Sequence, residues 1–117
     1  MNERRLGAVS IKTPVVKLTF KDGNYLVGKL LNHGRATKFG NVFNFQLLDT
    51  NAQTFVEKKE VDVTEGQEVS LFTNEILTRD LREAQIGETV KVVFEGKKET
   101  KSGRICNAFK ASVLEGV

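Results

Sequence analysis

In several stretches of this chain apolar and polar residues alternate at every second position, and a pattern of that period buries one face only if the backbone is extended. Val16, Leu18 and Phe20 alternate within Val15-Val16-Lys17-Leu18-Thr19-Phe20, and Phe43, Phe45 and Leu47 alternate with Asn44 and Gln46. The spacing predicts a strand from Val15 to Phe20, a returning strand from Tyr25 to Asn32 and a third up to Asp49. A less regular β stretch follows from Gln53 to Val63 and resumes at Val69-Ser70-Leu71-Phe72; two strands close the chain, Thr89 to Phe94 and Ile105 to Leu114. Asp22-Gly23 predicts a hairpin turn and Gly28 a bulge or sharp coil. Only Asn74 to Ala84 changes period. There Ile76, Leu77, Leu81 and Ala84 fall at helical spacing, with Asn74 as cap, Glu75 at the positive end and Gly87 past the finish.

With 117 residues and Pro14 as its only proline, the chain has room for one domain and nothing that marks a linker. Residues 1–14 read as an N-terminal arm and 15–117 as the domain. A single cysteine, Cys106, and a single histidine, His33, supply neither an internal disulfide nor a zinc site, so no metal and no cofactor is expected. A reducing cytoplasm fits one lone thiol. No apolar run has the length of a membrane span or a signal-peptide core.

The formal net charge of +3 conceals a strong segregation. Residues 17–48 hold five cations (Lys17, Lys21, Lys29, Arg35, Lys38) against Asp22 alone; residues 49–75 hold two cations against seven acids; residues 79–110 hold eight cations against five acids. Lys97, Lys98, Lys101 and Arg104 crowd around Gly96 and Gly103. If the two basic stretches meet in the fold, they line one positive groove. The bland alternative is a pair of solvated loops.

Three β stretches, one helix and two strands, with an extra strand in front, resemble over residues 16–114 the OB-fold, a five-stranded Greek-key barrel with its helix between strands three and four. The run Lys38-Phe39-Gly40-Asn41-Val42-Phe43-Asn44-Phe45-Gln46-Leu47-Leu48-Asp49 resembles the second strand and turn of single-stranded-DNA-binding OB domains. Ile86-Gly87-Glu88-Thr89-Val90-Lys91-Val92-Val93-Phe94-Glu95-Gly96-Lys97-Lys98, with Gly103-Arg104 and Asn107-Ala108-Phe109, resembles the end of small OB proteins that bacteriophages encode for that purpose.

The resemblance implies an all-β OB barrel that binds single-stranded DNA without sequence preference and protects it during replication or recombination in a bacterial, phage-infected cytoplasm. Its ligand would cross the face of strands two and three, between loops 33–41 and 95–104. Arg35 and Lys38 would wall one side, and Lys97, Lys98, Lys101 and Arg104 the other, with Lys29, Asn44 and Gln46 on the floor. Stacking would fall to Phe39 first, then Tyr25 and Phe55. Phe43 and Phe45 share a face with Leu47 and read as core, although Gly40 to Phe45 also resembles the RNP1 pattern of RNA-binding strands. Phe20, Phe72, Phe94 and Phe109 read as core as well.

Catalysis has no constellation to rest on. His33 lacks a neighbouring acid and reads as a phosphate contact or a solvated side chain, and Cys106 reads as a small buried filler. The chain is therefore expected not to be an enzyme. The alternatives are an OB or β-barrel protein-interaction module and an RNA-binding OB protein. Familiar bacterial single-stranded-DNA binders end in an acidic tail, whereas this sequence reads Leu114-Glu115-Gly116-Val117. A homodimer through the N-terminal strand is expected, since an added edge strand invites pairing.

Overall fold

A computed structural model of the chain describes residues 13–38 and 40–115. It is all-β with one helix. The strands are β1 (Val15–Lys17), β2 (Tyr25–Leu30), β3 (Arg35–Thr37), β4 (Gly40–Thr50), β5 (Gln53–Val56), β6 (Lys59–Glu60), β7 (Glu68–Thr73), β8 (Thr89–Glu99) and β9 (Ile105–Val113). Helix α1 (Glu75–Leu81) lies between β7 and β8. They form a single sheet in the order β6-β5-β1-β7-β4-β2-β8-β9, with β3 paired to β4.

Alternation placed the core correctly along β4. Phe43 and Phe45 are fully buried and join Leu26, Leu30, Val69 and Val92 at the centre. Gly28 sits where the β2–β4 register slips, and a Cβ there would stand 2.8 Å from the Gln46 carbonyl oxygen, so the two backbones approach this closely only because the residue is glycine. At the helix start, Asn74 Oδ1 accepts from the Leu77 N–H at 2.9 Å, and Leu77, Leu81 and Ala84 are buried. Ile76 stays 52% exposed because one residue along a helix turns it about 100° away from Leu77.

Three expectations change. The strand predicted from Val15 to Phe20 stops at Lys17, and Leu18–Phe20 form a 3-10 turn. At about three residues per turn, Phe20 is rotated away from the core that Leu18 enters, and it is 61% exposed. Asp22-Gly23 does turn the chain, with Gly23 at φ +91°, but it does not make a hairpin, since β1 and β2 are not neighbours. The turn docks on β8 instead: the Gly23 N–H donates to the Phe94 carbonyl and the Phe94 N–H to that of Asn24, each at 2.8 Å.

The third change concerns closure. The expected five-stranded OB-fold barrel is, among the described residues, a sheet that does not close into a barrel. The edge of β7 away from β4 is taken by β1, parallel to it, with Val15 opposite Ser70 and the Ser70 N–H donating to the Pro14 carbonyl at 2.8 Å. Strands β5 and β6 then extend the sheet on that side. β9 reaches the β7 end through a side chain, Asn74 Nδ2 donating to the Asn107 carbonyl at 2.9 Å. β1 has β5 on one side and β7 on the other, so Val15–Lys17 offers a second copy no free edge; the arm before residue 13 lies outside the described residues. No helix among the described residues is long and apolar enough to cross a membrane.

Candidate nucleic-acid interface

Because Val69 and Leu71 point into the core, Ser70 and Phe72 point to the opposite face of β7, and the registers extend that face across the seven strands β1 to β7. One row holds Arg35, Val42 and Phe72; a second holds Asn44, Ser70, Val15, Phe55 and Glu60; a third holds Lys29, Gln46 and Glu68. Lys17, two residues beyond Val15 on β1, lines the same hollow as Phe72 and Phe109. The middle of the face is a closed polar network. Asn44 Nδ2 donates to Ser70 Oγ at 2.9 Å and Asn44 Oδ1 accepts from Asn32 Nδ2 at 2.7 Å.

Aromatic surface flanks that network. Phe72 is 39% exposed, and Phe20 stands edge-on to Phe55 with ring centroids 5.9 Å apart. Arg35, Lys17 and Lys29 are exposed around them. Exposed aromatic rings accompanied by cations are the composition of an interaction surface, since solvating large apolar rings is unfavourable unless something else covers them.

The residues singled out from sequence distribute unevenly. Lys29, Arg35, Gln46 and Phe55 lie on this face, and Lys38 lies in the turn between β3 and β4. Gln46 is exposed, with Nε2 3.5 Å from the Gly66 carbonyl. Asn44 is on the face but only 7% exposed, its amide committed to Ser70 and Asn32, so it shapes the floor rather than presenting a free amide. Tyr25 is engaged elsewhere: its hydroxyl donates to Asp49 Oδ2 at 2.8 Å and Lys91 Nζ sits 5.3 Å from its ring centroid. The hydrogen bond to Asp49 raises the phenol above its usual pKa, with desolvation and the Asp49 charge adding to it. Phe39 lies outside the described residues.

The second basic stretch is less a loop than a ribbon. β8 runs on to Glu99, past a register slip at Gly96, whose φ is +94° and whose missing Cβ leaves room for the Asp22 carboxylate. Lys97 pairs with Asn107 and Lys98 with Cys106, so these adjacent lysines point to opposite faces. Lys98 also lies 3.7 Å from Glu95, an exposed and weak pair. Lys101 is in the turn, and Arg104 lines a hollow with Glu75, Ile76, Ile105 and Cys106 at the start of α1. Glu75 also borders Asn41 on the β4 side, so the first turn of the helix stands between the two basic stretches that sequence put in one groove.

Other expectations shift too. His33 is exposed, and its Nε2 donates to the Ala84 carbonyl at 2.7 Å, tying the loop after β2 to the segment after α1. Cys106 is half-buried beside Ile105 rather than a core filler. No group of three His, Cys, Asp or Glu that could hold a metal occurs among the described residues.

Phe72 and Phe20, read as core, are exposed, and Lys17, counted among the cations of the basic stretch, was not placed in the candidate site. For Phe72 the signal was present, because Val69 and Leu71 claim the core by alternation and leave position 72 on the other face. No family model matches the chain, and neither a curated protein nor a solved structure matches it.

Proposed function

We propose that this chain binds single-stranded nucleic acid, single-stranded DNA in first place, without sequence preference and without catalysis, and that it protects exposed strands during replication or recombination. The observation that carries the reading is Phe72, 39% exposed on a sheet face with Arg35 in its own row and Lys17 beside it. An aromatic ring stacks on any base and cations follow the phosphates, which gives affinity without readout. The OB-like reading has a second support. β2, β4, β7, β8 and β9, with α1 between the third and fourth of them, keep the Greek-key order of a partly open OB barrel, and the face of strands two and three is then that of β4 and β7.

The test is an equilibrium titration of labelled oligothymidine, oligouridine and a duplex of equal length at several salt concentrations. Tightest binding to oligothymidine is expected. Phe72→Ala should weaken it by about 1–3 kcal/mol with little preference among bases, while thermal stability stays close to that of the parent. Tighter binding of oligouridine turns the assignment to RNA, and no binding to any of the three turns it to a protein-interaction module.

Salt dependence should locate the phosphates. Each neutralised phosphate contributes about −0.7 to the log–log slope on a single strand, so Lys17→Gln with Arg35→Gln should remove about 1.4. Neutralising Lys97, Lys98 and Lys101 together should remove less, because two of the three point to opposite faces and one is paired with Glu95. A larger loss from the hairpin triple would move the strand's path toward α1.

A further inference from the structure

We infer that Phe20 and Phe55 form a second base-stacking platform, and that a bound strand crosses from Phe72 over β1 to this pair, its phosphates following Lys17 and Lys21. The inference rests on the single-strand reading above and specifies where that strand runs.

Phe55 shares a row with Val15, Ser70 and Asn44, so it belongs to the same sheet face as Phe72 although β1 lies between their strands. Phe20 reaches that face from the 3-10 turn and leans edge-on against Phe55 with an interplanar angle of 76°. Phe55 thereby fixes the ring of Phe20, while Phe20 keeps 61% of its surface open. A ring held in place by another aromatic loses little freedom when a base covers it, which is what a stacking platform requires.

Charge and spacing select the occupant. Lys17 and Lys21 bracket the 3-10 turn, both are exposed, and neither has an ion-pair partner among the described residues. On the far side Glu60 stands opposite Phe55 across the β5–β6 hairpin, where Lys58 and Lys59 balance Glu57 and Glu60, so the excess positive charge lies on the side of Lys17 and Lys21. Two strand spacings and a two-residue offset put the backbones at Phe72 and Phe55 about 12 Å apart. Neighbouring stacked bases in a duplex strand are about 3.4 Å apart, so the two platforms suit an unstacked strand with intervening nucleotides and not a rigid stack.

The chain contains no tryptophan, so Phe20→Trp introduces a single reporter on the full-length protein. Emission of the indole is expected to be quenched as an octathymidylate is added, with saturation at the concentration where the anisotropy of the labelled oligonucleotide saturates. Phe20→Ala is expected to weaken octathymidylate binding by about 5- to 150-fold with its melting temperature retained. Normal anisotropy with unchanged emission, together with parental affinity in Phe20→Ala, overturns the second platform and leaves the Phe72 face standing. Absence of any anisotropy change with the parent protein overturns the single-strand reading itself.

Discussion

Replacing Phe43 with alanine is expected to destabilise the fold by about 3–5 kcal/mol, the usual range for truncating a buried phenylalanine. The side chain has no exposed surface, and it sits in the long central strand β4, paired on one side with β7 and on the other with β2 and β3. Its ring also packs against a bare piece of backbone. At Gly34, φ +85°, a Cβ would stand 2.7 Å from the Phe43 ring, so the loop after β2 is shaped around this phenyl group. Neither the paired strands nor a glycine backbone can collapse into the space left behind, which places the expected cost toward the upper part of that range. Domains of this size have only about 5–15 kcal/mol in hand, so the variant should melt well below the parent in urea while still folding. Affinity per folded molecule should be preserved, the reverse of Phe72→Ala. Loss of affinity at parental stability would show that the two faces of β4 are inverted and would favour the RNP1-like assignment.

The contrast between Phe43 and Phe72 also shows what alternation can and cannot convey. Period two tells which residues share a face, and in β4 the Phe43, Phe45, Leu47 set wins the core because burying it removes far more apolar area than burying Asn44 and Gln46. The same rule applied to Val69-Ser70-Leu71-Phe72 would have put Phe72 outside. Phe20 was a different matter. Its alternation with Val16 and Leu18 is genuine in sequence, but a 3-10 turn replaces period two with period three there, and no proline or glycine within Leu18-Thr19-Phe20 announces it.

Pairing order was less legible than strand positions. Gly28 and the Asn74 cap are local signals and appear where the sequence predicted, whereas the basic stretches expected as loops 33–41 and 95–104 are largely strand, β3 and the end of β8. That β1 would lie between β5 and β7 is a long-range choice. It depends on which free edge of β7 finds a partner, and a three-residue strand carries too little pattern to announce that. For the same reason the candidate site shifted from the two loops to the sheet face. The cations and the strands were visible, but the pairing that brings Lys17 and Phe55 onto the face of Phe72 was not.

Leu81→Ala is expected to cost about 2–5 kcal/mol and to separate stability from binding at the other end of the molecule. Leu81 and Leu77, one turn apart, are each 1% exposed, and with Ala84 they form the face by which α1 joins the core. Leu81 also lines a hollow with Val90, Ala111 and Val113, so the side chain bridges the helix to the β8–β9 ribbon. A seven-residue helix has almost no stability of its own, and its formation depends on this contact together with the Asn74 cap and the Thr73–Thr78 hydroxyl pair. Removing the leucine should therefore loosen the whole segment from α1 to the His33–Ala84 hydrogen bond, which amide exchange would report as lost protection at residues 77–84. The face that carries Phe72 lies on β1 to β7 and does not include Leu81, so oligothymidine affinity per folded molecule should remain near the parental value. A parental melting temperature in Leu81→Ala would mean that α1 does not seal the core. Unchanged stability at residues 77–84 combined with lost affinity would instead make the helix part of the nucleic-acid path, beside Arg104 and the β8–β9 turn.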